Sequence, residues 1–227
     1  MLALVSLLHL AGANVPPEMM KSAVGQKPMR LAKSEPYIRC STCRLAAQEA
    51  WSQVAQRASE MPRLGEVEIG EVLDAICDPD DNLGEWITFY DITQQDSELL
   101  LQQRDGVGEC RRECSTLTHA CRAVFDEYRE DMTEMLFKHY RTETPKKLSA
   151  EKFVSRVCTK MSKSCPAKSA PAGFQHKDEQ WLPVMDPDSY KMRKMQHALN
   201  KQSKDGVGAP VQFLDPMGPM MMEDEDL

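Results

Sequence analysis

The sequence predicts an all-α, disulfide-bonded helical domain with a small β-hairpin insertion and a flexible C-terminal tail. Three observations carry that expectation. Apolar residues recur at steps of three and four in four separate stretches between residues 36 and 165. All eight cysteines, an even number, fall in the same interval. The residues beyond it are punctuated by Pro166, Pro171, Pro183 and Pro187 and end in a Met-rich and then acidic run.

Length and charge set the outer limits. A chain of 227 residues holds one domain with tails, or two small domains. A net charge of −7 argues against sequence-independent binding of nucleic acid, which needs clustered Lys and Arg. The charge is uneven: net +3 over residues 1–39, −7 over 40–165 and −3 over 166–227. With every cysteine inside it, the middle segment is the expected folded unit.

The elements follow in order. Met1–Ala13 is apolar and ends in the small-x-small pattern Ala11-Gly12-Ala13, which reads as a signal peptide; Pro16 and Pro17 then stop any helix. Export places the cysteines in an oxidising compartment. Residues 14–35 are expected to be irregular. A first helix opens near Pro36 and carries Cys40, Cys43, Ala47, Ala50, Trp51, Val54 and Ala58 on one face. Pro62 and Gly65 end it. A second helix presents Ile69, Val72, Leu73, Ile76 and Cys77, then stops at Asp78-Pro79-Asp80-Asp81.

The period then changes. Trp86–Ile92 is aromatic and β-branched, Thr93–Ser97 is polar, and Glu98–Gln103 contains three leucines, which together read as a β-hairpin. The longest helix runs through Cys110, Cys114, Leu117, Cys121, Val124, Phe125, Tyr128, Met132, Met135 and Leu136. Thr142–Pro145 breaks it. Ser149 caps a last helix with Phe153, Val154, Val157, Cys158 and Met161 inward. The folded domain is therefore expected over residues 36–168. Residues 169–227 are expected to be a mostly disordered tail, with a short amphipathic helix available over Asp186–Lys204.

The cysteine order carries a resemblance. Cys40-Ser-Thr-Cys43, the Leu-Asp-Ala-Ile-Cys77 end of the second helix, Cys121 before an amphipathic acidic helix, and Cys158 with Cys165 resemble the saposin-B-like domain. The stretch Gly108-Glu-Cys110-Arg-Arg-Glu-Cys114-Ser-Thr-Leu-Thr-His-Ala-Cys121 resembles its canopy branch, the MIR-interacting saposin-like proteins. Simple saposins have a short segment between their third and fourth cysteines, whereas 44 positions separate Cys77 from Cys121 here. The saposin-like order, with antiparallel first and last helices, implies the pairs Cys40–Cys165, Cys43–Cys158 and Cys77–Cys121. Cys110 and Cys114 are left to pair with each other. The resemblance implies a non-enzymatic adaptor or co-chaperone of the endoplasmic reticulum lumen. Its partners would be client membrane or secreted proteins and luminal chaperones, with secretion as the alternative destination. It implies no catalytic residue, metal or cofactor.

The residues also bear on other chemistries. Cys40-x-x-Cys43 has the spacing of a redox motif without the βαβ context. Cys110 and Cys114 are the better thiol–disulfide candidates, because their pairing is least constrained and Arg111 and Arg112 would lower a neighbouring thiol pKa. Cys110, Cys114, His119 and Cys121 match no common zinc spacing. Asp78–Asn82 begins like a calcium loop but lacks its Gly and terminal Glu offsets. The Met and aromatic stripe from Phe125 to Leu136 reads first as core and second as a client- or lipid-binding face. Asp224-Glu225-Asp226-Leu227 is similar to a luminal retrieval signal with its two acids exchanged.

Overall fold

The computed structural model describes residues 29–61, 63–141 and 148–204. Helix α1 (Glu35–Glu60) starts with Pro36 in its first turn, where the missing amide hydrogen costs nothing. Helix α2 (Glu66–Ala75) opens at Gly65, whose amide donates to Glu68 Oε2 at 3.0 Å. Helix α3 (Arg112–Arg141) is the longest, with a break in helical backbone at Tyr128. Helix α4 (Ala150–Ser155) is capped by the Ser149 hydroxyl and runs on as a π-helical turn over Arg156–Met161. Helix α5 spans Pro187–Lys204.

Helices α1 and α3 pack against each other, α2 packs on α3, and α4 packs on α1. The apolar positions spaced by three and four point into the shared core. Ile38, Val54, Ile69, Leu117, Met132, Leu136, Phe153 and Val157 are wholly or almost wholly buried. Burying each such side chain stabilises the fold by roughly 1.5–3 kcal/mol. Phe125, Met132 and Leu136 thus belong to the core and are not an open face.

Two expectations are corrected. Trp86–Phe89 is not strand: Glu85–Phe89 is a 3-10 helix, closed by the Thr88 hydroxyl donating to the Glu85 carbonyl and anchored by Trp86 Nε1 donating to the Ile76 carbonyl at 2.8 Å. Strands β1 (Tyr90–Gln95) and β2 (Glu98–Gln103) pair antiparallel, from Tyr90 opposite Gln103 to Gln95 opposite Glu98. The turn is only Asp96-Ser97, with Asp96 at φ +54°, a conformation Asp tolerates better than most residues.

The second correction concerns the tail. Residues 170–204 lie on the domain as a strap and a helix. The Ala170 amide donates to the Ser97 carbonyl, Phe174 meets the Tyr37 ring edge-on at 5.0 Å, and residues 182–184 pair antiparallel with 107–109. Prolines mark residues 170–186 as non-helical without making them free: the amides of Ala170, His176, Glu179 and Val184 donate to the domain, and only residues 187–204 form a helix.

Candidate functional site

Four disulfides lace the helices: Cys40–Cys165, Cys43–Cys158, Cys77–Cys121 and Cys110–Cys114. The first two join α1 to the end of the chain's helical core in crossing order, so α1 and α4 run antiparallel. Seven of the eight cysteines are buried; Cys110 alone is partly exposed. The zinc grouping is dissolved by this pairing, since its three thiols are all in disulfides and His119 Nδ1 sits 3.0 Å from Glu35 Oε2.

Beside the Cys110–Cys114 bridge the strap clasps the start of α3. Glu113 is buried, and its two oxygens accept from the backbone amides of Ile92 (2.8 Å) and Glu179 (3.0 Å). His176, its ring fully buried, stands between Glu113 and Ser34: Nε2 is 3.1 Å from Glu113 Oε1, and Nδ1 is 2.9 Å from Ser34 Oγ. Burial pushes the Glu113 carboxyl above its ordinary value; the His176 contact opposes this, and a hydrogen bond to Asp91 adds to it. Asp91 is itself paired with Arg104. Glu179 Oε2 accepts the Arg112 amide at 2.8 Å, placing a carboxylate at the positive end of the α3 dipole.

Ser34, His176 and Glu113 stand in the order of a nucleophile, base and orienting acid. Yet Ser34 is 3% exposed, so no substrate carbonyl can reach its hydroxyl. Glu113, His176 and the exposed Asp178 could each direct one atom to a metal ion. The polar atoms of Glu113 and His176 are already hydrogen-bonded within the protein, and the set reads as a structural clasp. Sequence reasoning missed it because Glu113 and His176 are 63 residues apart, and each resembles an ordinary solvated side chain.

The acidic turn Asp78–Asp81 also has an unanticipated role. Its carboxylates face the basic side of α5: Asp78 meets His197 at 3.3 Å, Asp80 meets Arg193 at 3.7 Å, and Asp81 meets Lys201 at 3.1 Å. Lys194, nearly buried, pairs with Glu85 at 2.9 Å, and the Tyr190 hydroxyl donates to the same carboxylate at 2.7 Å. Burial alone would raise Glu85; the bonds from Lys194 and Tyr190 outweigh it and hold the carboxyl below its ordinary value. Burial and the Glu85 carboxylate push the Tyr190 phenol far up. The signal available in the sequence was the spacing of Arg193, Lys194, His197 and Lys201, one basic stripe at i, i+1, i+4 and i+8.

Between α5 and the domain lies a groove of about 740 Å³. Val107, Pro183, Val184, Met195 and Ala198 form its apolar wall, and Glu85, Tyr190 and Lys194 stand at its polar side. Met195 is half-exposed along the α5 side of the groove. A cleft of this size, apolar with a few convergent polar groups, suits a ligand or a peptide segment.

Met1–Ala13 and Asp224–Leu227 lie outside the described residues. No helix among the described residues is long and apolar enough to cross a membrane. Four disulfides fit an oxidising secretory or extracellular environment. No protein-family model, curated protein or solved structure matches the chain.

Proposed function

We propose that the protein is an adaptor or co-chaperone of the endoplasmic reticulum lumen that holds extended apolar segments of client membrane and secreted proteins during their maturation. The observation that carries this reading is the groove beneath α5. It is open, its wall is largely aliphatic, and it includes the half-exposed Met195, whose unbranched polarisable side chain adapts to many apolar shapes. The half-buried Lys194–Glu85–Tyr190 group gives the polar side of the groove an anchor for a peptide backbone. The canopy resemblance supports the same role. A saposin-type lipid carrier is less favoured, because the stripe that would open to lipid is occupied as core by Phe125, Met132 and Leu136.

The test uses a secretory protein that has been reduced, permanently alkylated and unfolded, so that disulfide exchange cannot contribute. The intact protein should suppress its aggregation, and Met195→Glu together with Ala198→Trp should abolish the suppression with an unchanged melting curve. Equal suppression by the wild type and the groove variant would reject the groove as the client site.

A further inference from the structure

The Cys110–Cys114 bridge differs from the other three in every respect that bears on reactivity. The other pairs close 44, 115 and 125 positions and tie separate elements together. Cys110 and Cys114 are four apart, and the bond ties the residue two before α3 to the first turn of that helix, joining no two helices or strands. The three long bridges are formed by buried cysteines on both sides, whereas Cys110 is partly exposed and Cys114 is covered. A thiolate arriving from solvent thus has one sulfur to attack and one to expel. Cys114 sits in the first turn of α3, where the helix dipole favours a departing thiolate. Arg111 and Arg112 lie between the two cysteines, and Arg111 is partly neutralised by Glu179 at 3.1 Å.

The neighbourhood supplies a route for a partner. Val107 lines the groove, and Cys110 is three residues farther along an irregular stretch, within about 10 Å by chain length.

We propose that Cys110–Cys114 is an exchangeable disulfide that oxidises cysteine pairs in secretory polypeptides. A client thiolate attacks Cys110 Sγ. The Cys110–Cys114 bond breaks, the client–Cys110 bond forms, and the electron pair leaves on Cys114 Sγ, which takes a proton from solvent. A second client thiolate then attacks the client sulfur of the mixed disulfide, forming the client disulfide and releasing Cys110 as a thiolate that is protonated in turn. The client loses two electrons and the protein bridge gains them. A low-molecular-weight disulfide such as oxidised glutathione restores the bridge by the reverse exchange. This activity goes beyond the holding role proposed above and does not require it.

The experiment equilibrates the intact protein in glutathione buffers of graded ratio, followed by differential alkylation and mass-spectrometric mapping of all eight cysteines. Cys110 and Cys114 should become reduced together at least about tenfold more readily than any other pair, about 30 mV in potential. A reduced two-cysteine peptide without an apolar segment should be oxidised in equal amount to the Cys110–Cys114 reduced. Cys114→Ser should capture a one-cysteine peptide as a mixed disulfide on Cys110. Reduction of this pair only alongside the long bridges, or a peptide left as dithiol by the wild type, would overturn the proposal. The first readout uses glutathione and the second a small peptide without an apolar segment, both with the wild-type chain, so their failure leaves the groove reading standing, and failure of the groove leaves them unaffected.

Discussion

His176 Nε2 lies 3.1 Å from Glu113 Oε1 in the closed interior of the clasp, joining the strap to the first turn of α3 across 63 residues of chain. The pair seats the middle of residues 170–184, whose ends are held by the Ala170–Ser97 hydrogen bond and by pairing of 182–184 with 107–109. Glu113 also receives the Glu179 and Ile92 amides, so one carboxyl group organises the strap, the helix start and the hairpin. Replacing His176 by Ala removes both its ring contacts and takes one partner from a buried carboxyl that keeps its two backbone amides. The expected cost is about 1–3 kcal/mol. Hydrogen exchange should show lost protection at the His176 and Glu179 amides while the amides of α1 keep theirs. Unchanged protection at Glu179 would show that His176 does not hold the strap.

Two carboxyls beside the strap and α5 respond to pH with opposite sign. Glu113 holds its proton more tightly in the folded chain than in the unfolded one. The stability it contributes is therefore complete below about pH 4.5 and is lost as pH rises through its raised folded value. Glu85 is held below 4.5, so its contribution is present above that value and is lost as pH falls through its depressed one. Acidification from neutral pH should first strengthen the clasp and then, at lower pH, release α5. Amide exchange followed from pH 7 to pH 3 reads both, and Glu113→Gln should flatten the first response. Parallel loss of protection in strap and helix would contradict the assignment.

Cys43→Ser opens a bridge that closes 115 positions and leaves Cys158 unpaired in the core. The expected loss is about 2–5 kcal/mol. The double replacement of Cys110 and Cys114 by Ser opens a bridge of only four positions, for which the chain-entropy model gives at most about 2 kcal/mol. Denaturant midpoints at equal pH compare the two directly. A larger loss from the short bridge would mean that it holds more than the first turn of α3.

Apart from the nearly buried Lys194–Glu85 pair, the Arg193–Asp80 and Lys201–Asp81 pairs that help fix α5 lie at the surface and are each worth about 0–1 kcal/mol. Salt should weaken them together. Lys201→Glu sets two like charges against each other at Asp81. It should raise exchange along α5 at low ionic strength and matter much less at high salt. An equal effect at both would place the helix under apolar rather than electrostatic control.

Gly108 reports on the same strap by shape. A Cβ there would stand 2.4 Å from Trp181 Nε1 and 2.9 Å from the Thr88 carbonyl oxygen. Gly108→Ala should displace the Trp181 ring and shift its fluorescence, with the long disulfides and the α1–α3 core retained. An unchanged emission spectrum would show that the indole is not seated against this backbone.

The amino-acid sequence by itself determined the helices and most of the core. Cys40, Ala47, Ala50 and Val54 in α1, and Leu117, Cys121, Val124 and Phe125 in α3, recur at the helical period, and that period is a local property of the chain. Ser149 and Pro36 marked helix starts for equally local reasons, a hydroxyl that accepts an early amide and a ring that needs no donor. The tertiary structure alone decided the rest. Trp86–Phe89 has the composition of a strand, but Trp86 reaches the Ile76 carbonyl only when the backbone tightens into a 3-10 turn. His176, Glu179 and Trp181 sit in a proline-punctuated, polar stretch whose composition suits disorder. They are ordered because distant groups, the Glu113 carboxyl, the Arg112 amide and the Thr88 carbonyl, meet them in space. A hydrogen bond across 60 or more residues leaves no periodic trace in sequence, and the acidic turn at Asp78–Asp81 gained its meaning only when the basic stripe of α5 was laid on it.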